Sequence, residues 1–204
     1  MNDSVQACVD LVGKPQDQIT VAIINEAFAV EKGDKRWVLQ NLHSVFDNFS
    51  SEVDIVDLLA LSIKQIEERL ANKDVIFVLG GDTDYLMSVY EKSGFDKLLP
   101  ELLKNKVYVG SSAGSMVIGK RIPTNAYEII YGHQVEYGVD RYLELVDFSI
   151  IPHLDSPEFP ERKEKFKQAI DKFDAKVYGL SDDSAVVVNG HMVRTIGSEP
   201  LILN

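Results

Sequence analysis

Gly110-Ser111-Ser112-Ala113-Gly114 sets one hydroxyl between glycines where a short apolar strand meets a helix. Val107 to Val109 reads as the end of the strand, and Ala113 to Ile118 as the start of the helix. A G-x-S-x-G junction reverses the chain within a few residues, and its neighbours must be small because strand and helix crowd there. The central serine is then held in a strained backbone with its Oγ above the sheet. The next amide, that of Ala113, lies at the helix N-terminus, where it can donate to a developing oxyanion. The same pentapeptide also suits a plain glycine-rich turn, so the surroundings decide.

A nucleophilic serine needs a base, and usually an acid that orients the base. Of the four histidines, His43 falls on a predicted helix and His191 follows the hairpin pair Asn189-Gly190. His133 sits in a polar excursion. His153 directly follows the apolar strand Phe148 to Ile151, with Pro152 fixing the backbone before it and Leu154-Asp155-Ser156-Pro157 reading as a loop after it. That is the carboxyl end of a strand, the edge where open α/β sheets build their sites. A second loop, Gly80-Gly81-Asp82-Thr83, also joins a strand to a helix. Its glycines let backbone amides approach a substrate, so Gly81 N–H is the candidate second oxyanion donor. Asp82 or Thr83 caps the helix that follows.

The elements that must carry these residues alternate. Ile19 to Asn25, Val53 to Val56, Val75 to Leu79 and Val107 to Val109 are apolar, β-branched runs of the kind buried in a parallel sheet. Helical spacing lies between them, over residues 34–49, from an N-cap at Ser62, from Thr83 and through Leu98 to Leu103. Val5 to Val12 fits either a strand or a helical turn. Lys120 to Asp140 reads as a long polar surface excursion. Beyond Val146 to Ile151 come helical spacing over Glu158 to Phe173 and three short strands, Lys176 to Leu180, Ala185 to Val188 and Met192 to Ile196. The pattern predicts one α/β domain over 1–204, with a parallel sheet covered by helices on both faces. An α/β-hydrolase needs several more βα units between serine and histidine than this chain provides.

Composition sets limits. The chain is 45% hydrophobic and 26% charged, with a net charge of −11, which disfavours nucleic acid as a partner. No apolar run reaches the roughly 18 residues of a membrane span, and the opening residues lack a signal-peptide layout. The single Cys8 allows no internal disulfide and agrees with a cytoplasmic location. No metal-ligand spacing, Walker loop or dinucleotide fingerprint appears, so neither metal nor cofactor is expected.

Gly80-Gly81-Asp82-Thr83, Gly110-Ser111-Ser112-Ala113-Gly114 and Leu145 to His153, in this order, resemble the peptidase E (aspartyl dipeptidase) and cyanophycinase group of serine peptidases. The resemblance spans roughly residues 19–196. It implies a three-layer α/β sandwich with a mainly parallel central sheet, flavodoxin-like and akin to the class I glutamine amidotransferases, whose elbow cysteine is replaced by serine. By the same resemblance Ser112 is the nucleophile, His153 the base, and the amides of Gly81 and Ala113 the oxyanion hole. The implied substrates are small peptides with N-terminal aspartate, or β-aspartyl units for a cyanophycinase-like enzyme, and no metal is needed.

The chain departs from the family pattern in three places. Asp82 stands where Asn is common, and is a candidate to contact substrate. The third triad acid is expected after the elbow helix: Glu128 is chosen, with Glu136 and Asp140 as alternatives. Met1 to Asp10 does not clearly supply the family's extra opening strand. For a substrate carboxylate, Arg121 is the chosen guanidinium, with Arg141 and Arg162 also available. The expected protein is a monomer or homodimer acting on a small peptide. A non-catalytic binding member of the same fold is the rival reading, and an amidotransferase-type domain fits less well because the elbow has no cysteine.

Overall fold

The computed structural model describes residues 3–49, 52–132 and 137–203. The described chain forms two compact units, Met1–Ser115 and Met116–Asn204.

In the first unit a four-stranded, all-parallel sheet has the order β2-β1-β3-β4, formed by β1 (Thr20–Ile24), β2 (Glu52–Ile55), β3 (Val75–Val78) and β4 (Val107–Gly110). The central strand β1 is buried on both faces from Val21 to Ile24, which explains its unbroken β-branched sequence. Helix α1 (Asp3–Val12) and helix α2 (Arg36–Asn48) lay Cys8, Val38 and Val45 against Val21, Ile23, Val75 and Leu79. Residues 3–12 therefore make a helix rather than the extra opening strand.

Helix α3 (Ile63–Leu70) starts at Ser62 with a complete capping box: the Ser62 side chain takes the Gln65 amide, and the Gln65 side chain takes the Ser62 amide. Its apolar face, Ile66 and Leu70, is buried. Helix α4 (Thr83–Ser93) ends at Gly94 in the left-handed conformation that only glycine adopts cheaply, and α5 (Phe95–Leu102) follows at once. The elbow helix α6 (Ala113–Val117) completes the pattern.

The second unit holds a three-stranded sheet of order β5-β6-β9, from β5 (Ser149–Ile151), β6 (Val177–Gly179) and β9 (Leu201–Leu203). The pair β5·β6 is parallel and β6·β9 antiparallel. The hairpin β7 (Ala185–Asn189) and β8 (Met192–Ile196) turns at Asn189-Gly190, as the sequence signalled.

Two expectations change here. The stretch 120–140 is not all loop: α7 (Thr124–Tyr131) runs through it, because Ala126, Tyr127 and Ile130 recur on one helical face and join the core with Met116, Ile151 and Phe166. The helix expected over 158–173 is shorter, with α8 (Arg162–Gln168) followed by a 3-10 turn at Ile170–Lys172. No helix among the described residues is long and apolar enough to cross a membrane.

Candidate active site

The serine elbow, Gly110 to Gly114, lies wholly in the first unit. Ser112 has φ +51°, in the left-handed region that a side-chain-bearing residue rarely occupies. Its neighbours show why the flanking residues are small. A Cβ on Gly110 would lie 2.3 Å from the Gly114 carbonyl oxygen, and one on Gly114 would lie 2.4 Å from that of Val78. Backbone bonds lock the reversal: Ser111 N donates to Val78 O at 2.9 Å, and Ser115 N to Ser112 O at 2.8 Å. The Tyr108 hydroxyl donates to Gly114 O at 2.6 Å. Burial pushes that phenol well above its ordinary range, so it remains a neutral donor beneath the elbow.

The glycine loop abuts the elbow. A Cβ on Gly80 would come within 2.8 Å of Ser112 Cβ. Gly81 has φ +136°, open to glycine alone, and a Cβ there would lie 2.3 Å from the Ala27 carbonyl. Asp82 N donates to that same carbonyl at 2.9 Å, while Asp82 Oδ1 accepts the Tyr85 amide at 2.7 Å. The carboxylate expected at the substrate is thus engaged as the N-cap of α4.

The imidazole lies in the second unit. His153 also has a left-handed backbone, φ +67°. Among the described residues only Ser112, Glu144 and His153 combine a side chain with positive φ. His153 Nδ1 lies 2.6 Å from Asp182 Oδ1. With Nδ1–H donating to that carboxylate, Nε2 is left as the lone-pair nitrogen that can take a proton. The Phe159 ring lies 5.3 Å from the imidazole.

The carboxylate on the imidazole is therefore Asp182, where Glu128 was expected. Glu128 projects from the exposed side of α7, whose buried face belongs to Ala126, Tyr127 and Ile130. Asp140 is exposed too, and Glu136 and His133 lie outside the described residues. Asp182 has only a positional hint in the sequence, completed by strand pairing. It stands just past an apolar strand, as His153 does, and β5 and β6 are parallel neighbours with Ile151 opposite Gly179. Loops after adjacent parallel strands open on the same sheet edge.

Arg121 donates from Nη1 to Thr124 Oγ1 at 3.3 Å, and its guanidinium lies 6.0 Å from the centre of the Tyr142 ring. Arg141 is exposed. Arg162 is different: it is 9% exposed, with its guanidinium 4.3 Å from the Tyr131 ring centre and 4.5 Å from that of Phe159. Phe159 thus touches both Arg162 and His153. Burial pushes the Tyr131 phenol up to about 12, with Arg162 acting in the opposite sense, so it too stays neutral.

The first unit is a four-stranded parallel sheet carrying a strained serine elbow, and the second holds a histidine–aspartate couple on a mixed sheet, which together make this an α/β protein. The chain belongs to peptidase family S51, whose model matches residues 4–196. It is 29% identical over 183 residues to an uncharacterized peptidase of Listeria monocytogenes, covering 86% of this chain and 82% of that one. A protein named peptidase E from Haemophilus influenzae is 28% identical over 147 residues, covering 68% of this chain and 61% of its own. The crystal structure of a candidate peptidase E from Listeria monocytogenes superposes with a TM-score of 0.71 at 25% identity, covering 97% of this chain and 96% of that one.

Proposed function

We propose that this peptidase is a serine hydrolase of the peptidase E type, releasing N-terminal aspartate from small peptides. Ser112 is the nucleophile, His153 the general base, Asp182 the acid that orients it, and the Gly81 and Ala113 amides the oxyanion donors. The observation that carries the reading is the His153–Asp182 hydrogen bond, made by a residue held at positive φ on the loop after a parallel strand. The strained backbone at both the serine and the histidine supports this reading, because such strain persists only where the surroundings overdetermine a residue.

In the proposed reaction Ser112 Oγ attacks the scissile carbonyl as its proton passes to His153 Nε2. Asp182 holds the tautomer and balances the imidazolium, and the Gly81 and Ala113 amides take up the charge on the carbonyl oxygen. His153 then protonates the leaving amine. Water, activated by the same base, releases the acyl group and restores the serine. The preference for aspartate rests on the family resemblance together with Arg162. A buried guanidinium fixed between two rings is preorganised to take a carboxylate with two parallel hydrogen bonds.

The test is a panel of Asp-X, β-Asp-X and neutral dipeptides, with the parent protein set beside Ser112→Ala. The reading expects cleavage of Asp-X above the others and loss of that activity in the variant. Equal hydrolysis by parent and Ser112→Ala would refute it.

A further inference from the structure

We infer that Asp155 and Ser181 form a positioning pair, tied to α8 through Lys163, that holds the His153–Asp182 couple in register. This rests on the reading of His153 as the base. The loop after β5 and the loop after β6 are joined by three successive cross-links. His153 Nδ1 meets Asp182 Oδ1 at 2.6 Å, Leu154 N donates to Leu180 O at 2.9 Å, and Ser181 Oγ donates to Asp155 Oδ2 at 2.9 Å. Along the first loop the backbone bond at Leu154 lies between the two side-chain bonds; on the second loop Leu180 precedes Ser181 and Asp182, which make them.

The arrangement answers a physical need. The Asp182 side chain is 49% exposed, so burial does not freeze its carboxylate against the imidazole. Left to itself, such a carboxylate rotates between solvent and its partner, losing side-chain entropy each time it docks. Fixing the residue before it narrows that search. The Ser181 carbonyl is itself held, accepting from Ser184 N at 3.1 Å and Ser184 Oγ at 3.0 Å. On the far side the Lys163 ammonium donates to Asp155 Oδ1 at 2.8 Å. Lys163 and Ser181 together keep the Asp155 carboxyl below its usual range, so it stays an acceptor across the working pH.

Lys163 also follows Arg162 on α8. One strap therefore ties the base, its orienting acid and the helix bearing the specificity guanidinium. Among the described residues of this unit, Asp182 contacts the imidazole, Asp155 is paired with Lys163 on the same loop, and Arg162 stacks on Phe159, whose ring packs on the imidazole. Ser181 itself carries no charge, and Lys163, the larger influence on the Asp155 carboxyl, remains when Ser181 is replaced, so the variant tests position.

The experiment compares Ser181→Ala, Ser181→Thr, Asp182→Ala and the double variant Ser181→Ala/Asp182→Ala on an Asp-X dipeptide. Ser181→Ala should lower kcat roughly tenfold with KM within about twofold, and Ser181→Thr should restore most of it. In the Asp182→Ala background the Ser181→Ala change should cost nothing further, because its effect passes through Asp182. The downfield proton signal of the His153 Nδ1–H in the parent should broaden in Ser181→Ala. Parent-like kcat in Ser181→Ala, or an equal loss with and without Asp182, would overturn the inference. Activity surviving in Ser112→Ala or His153→Ala would instead sink the underlying catalytic reading, whatever Ser181 does.

Discussion

At the scale of single residues, a left-handed backbone separates Ser112 and His153 from the other described serines and histidines. A non-glycine residue at positive φ costs on the order of 1 kcal/mol or more, and persists only where neighbours enforce it. Asp182 should then be essential and Glu128 dispensable. Asp182→Asn is expected to lower kcat by about two to four orders of magnitude, by analogy with other triads that lose their orienting acid, with Glu128→Gln within about twofold of the parent. Steady-state kinetics on one Asp-X dipeptide separates them. Comparable losses from both substitutions would remove Asp182 from its role. Arg162→Lys keeps the charge but not the planar fork, so KM for Asp-X should rise about tenfold or more while neutral dipeptides change little. An unchanged ratio between the two substrates would take Arg162 out of recognition.

At the scale of elements, the loops are held by tight backbone contacts. The turn Glu26–Phe28 presses against Gly81, and its Glu26 is 8% exposed. One Glu26 oxygen takes the Leu58 amide, while Oε2 is buried with no hydrogen-bond partner. Burial, reinforced by the nearby Asp57 charge, raises the Glu26 pKa, although the Leu58 amide works against the shift. A raised folded-state pKa means the folded form binds more protons than the unfolded one above the ordinary carboxyl value. Stability is therefore lost as pH rises through that window, the reverse of a salt-bridged carboxylate. Glu26→Gln keeps an acceptor for Leu58 and cannot ionise. Its melting temperature should exceed the parent's near pH 8 and converge with it near pH 4. A gap that widens on acidification would contradict the assignment. Gly81→Ala has no such latitude: a methyl 2.3 Å from the Ala27 carbonyl forces the loop to move, so the variant should lose activity even where it folds.

Across the whole molecule, legibility followed local physics. The parallel strands, the Ser62 capping box, the Asn189-Gly190 hairpin and the serine elbow were readable because each rests on residues close in sequence. Helix α7 was hidden because its apolar face is only Ala126, Tyr127 and Ile130 amid polar residues. Asp182 was hidden for a different reason. It meets His153 only after β5 and β6 pair, and an acidic residue in a loop looks in sequence like any other solvated carboxylate. The boundary between the compact units, at Ser115 and Met116, falls inside the elbow helix.

The central claim is that Ser112 is made nucleophilic by His153. Stoichiometric labelling with a fluorophosphonate, followed by intact-protein and peptide mass spectrometry, reads this directly. One adduct per chain, located at Ser112, is expected for the parent. It should be absent in Ser112→Ala and form at least about a hundredfold more slowly in folded His153→Ala. No adduct on the parent, or labelling at the parent's rate in His153→Ala, would contradict it.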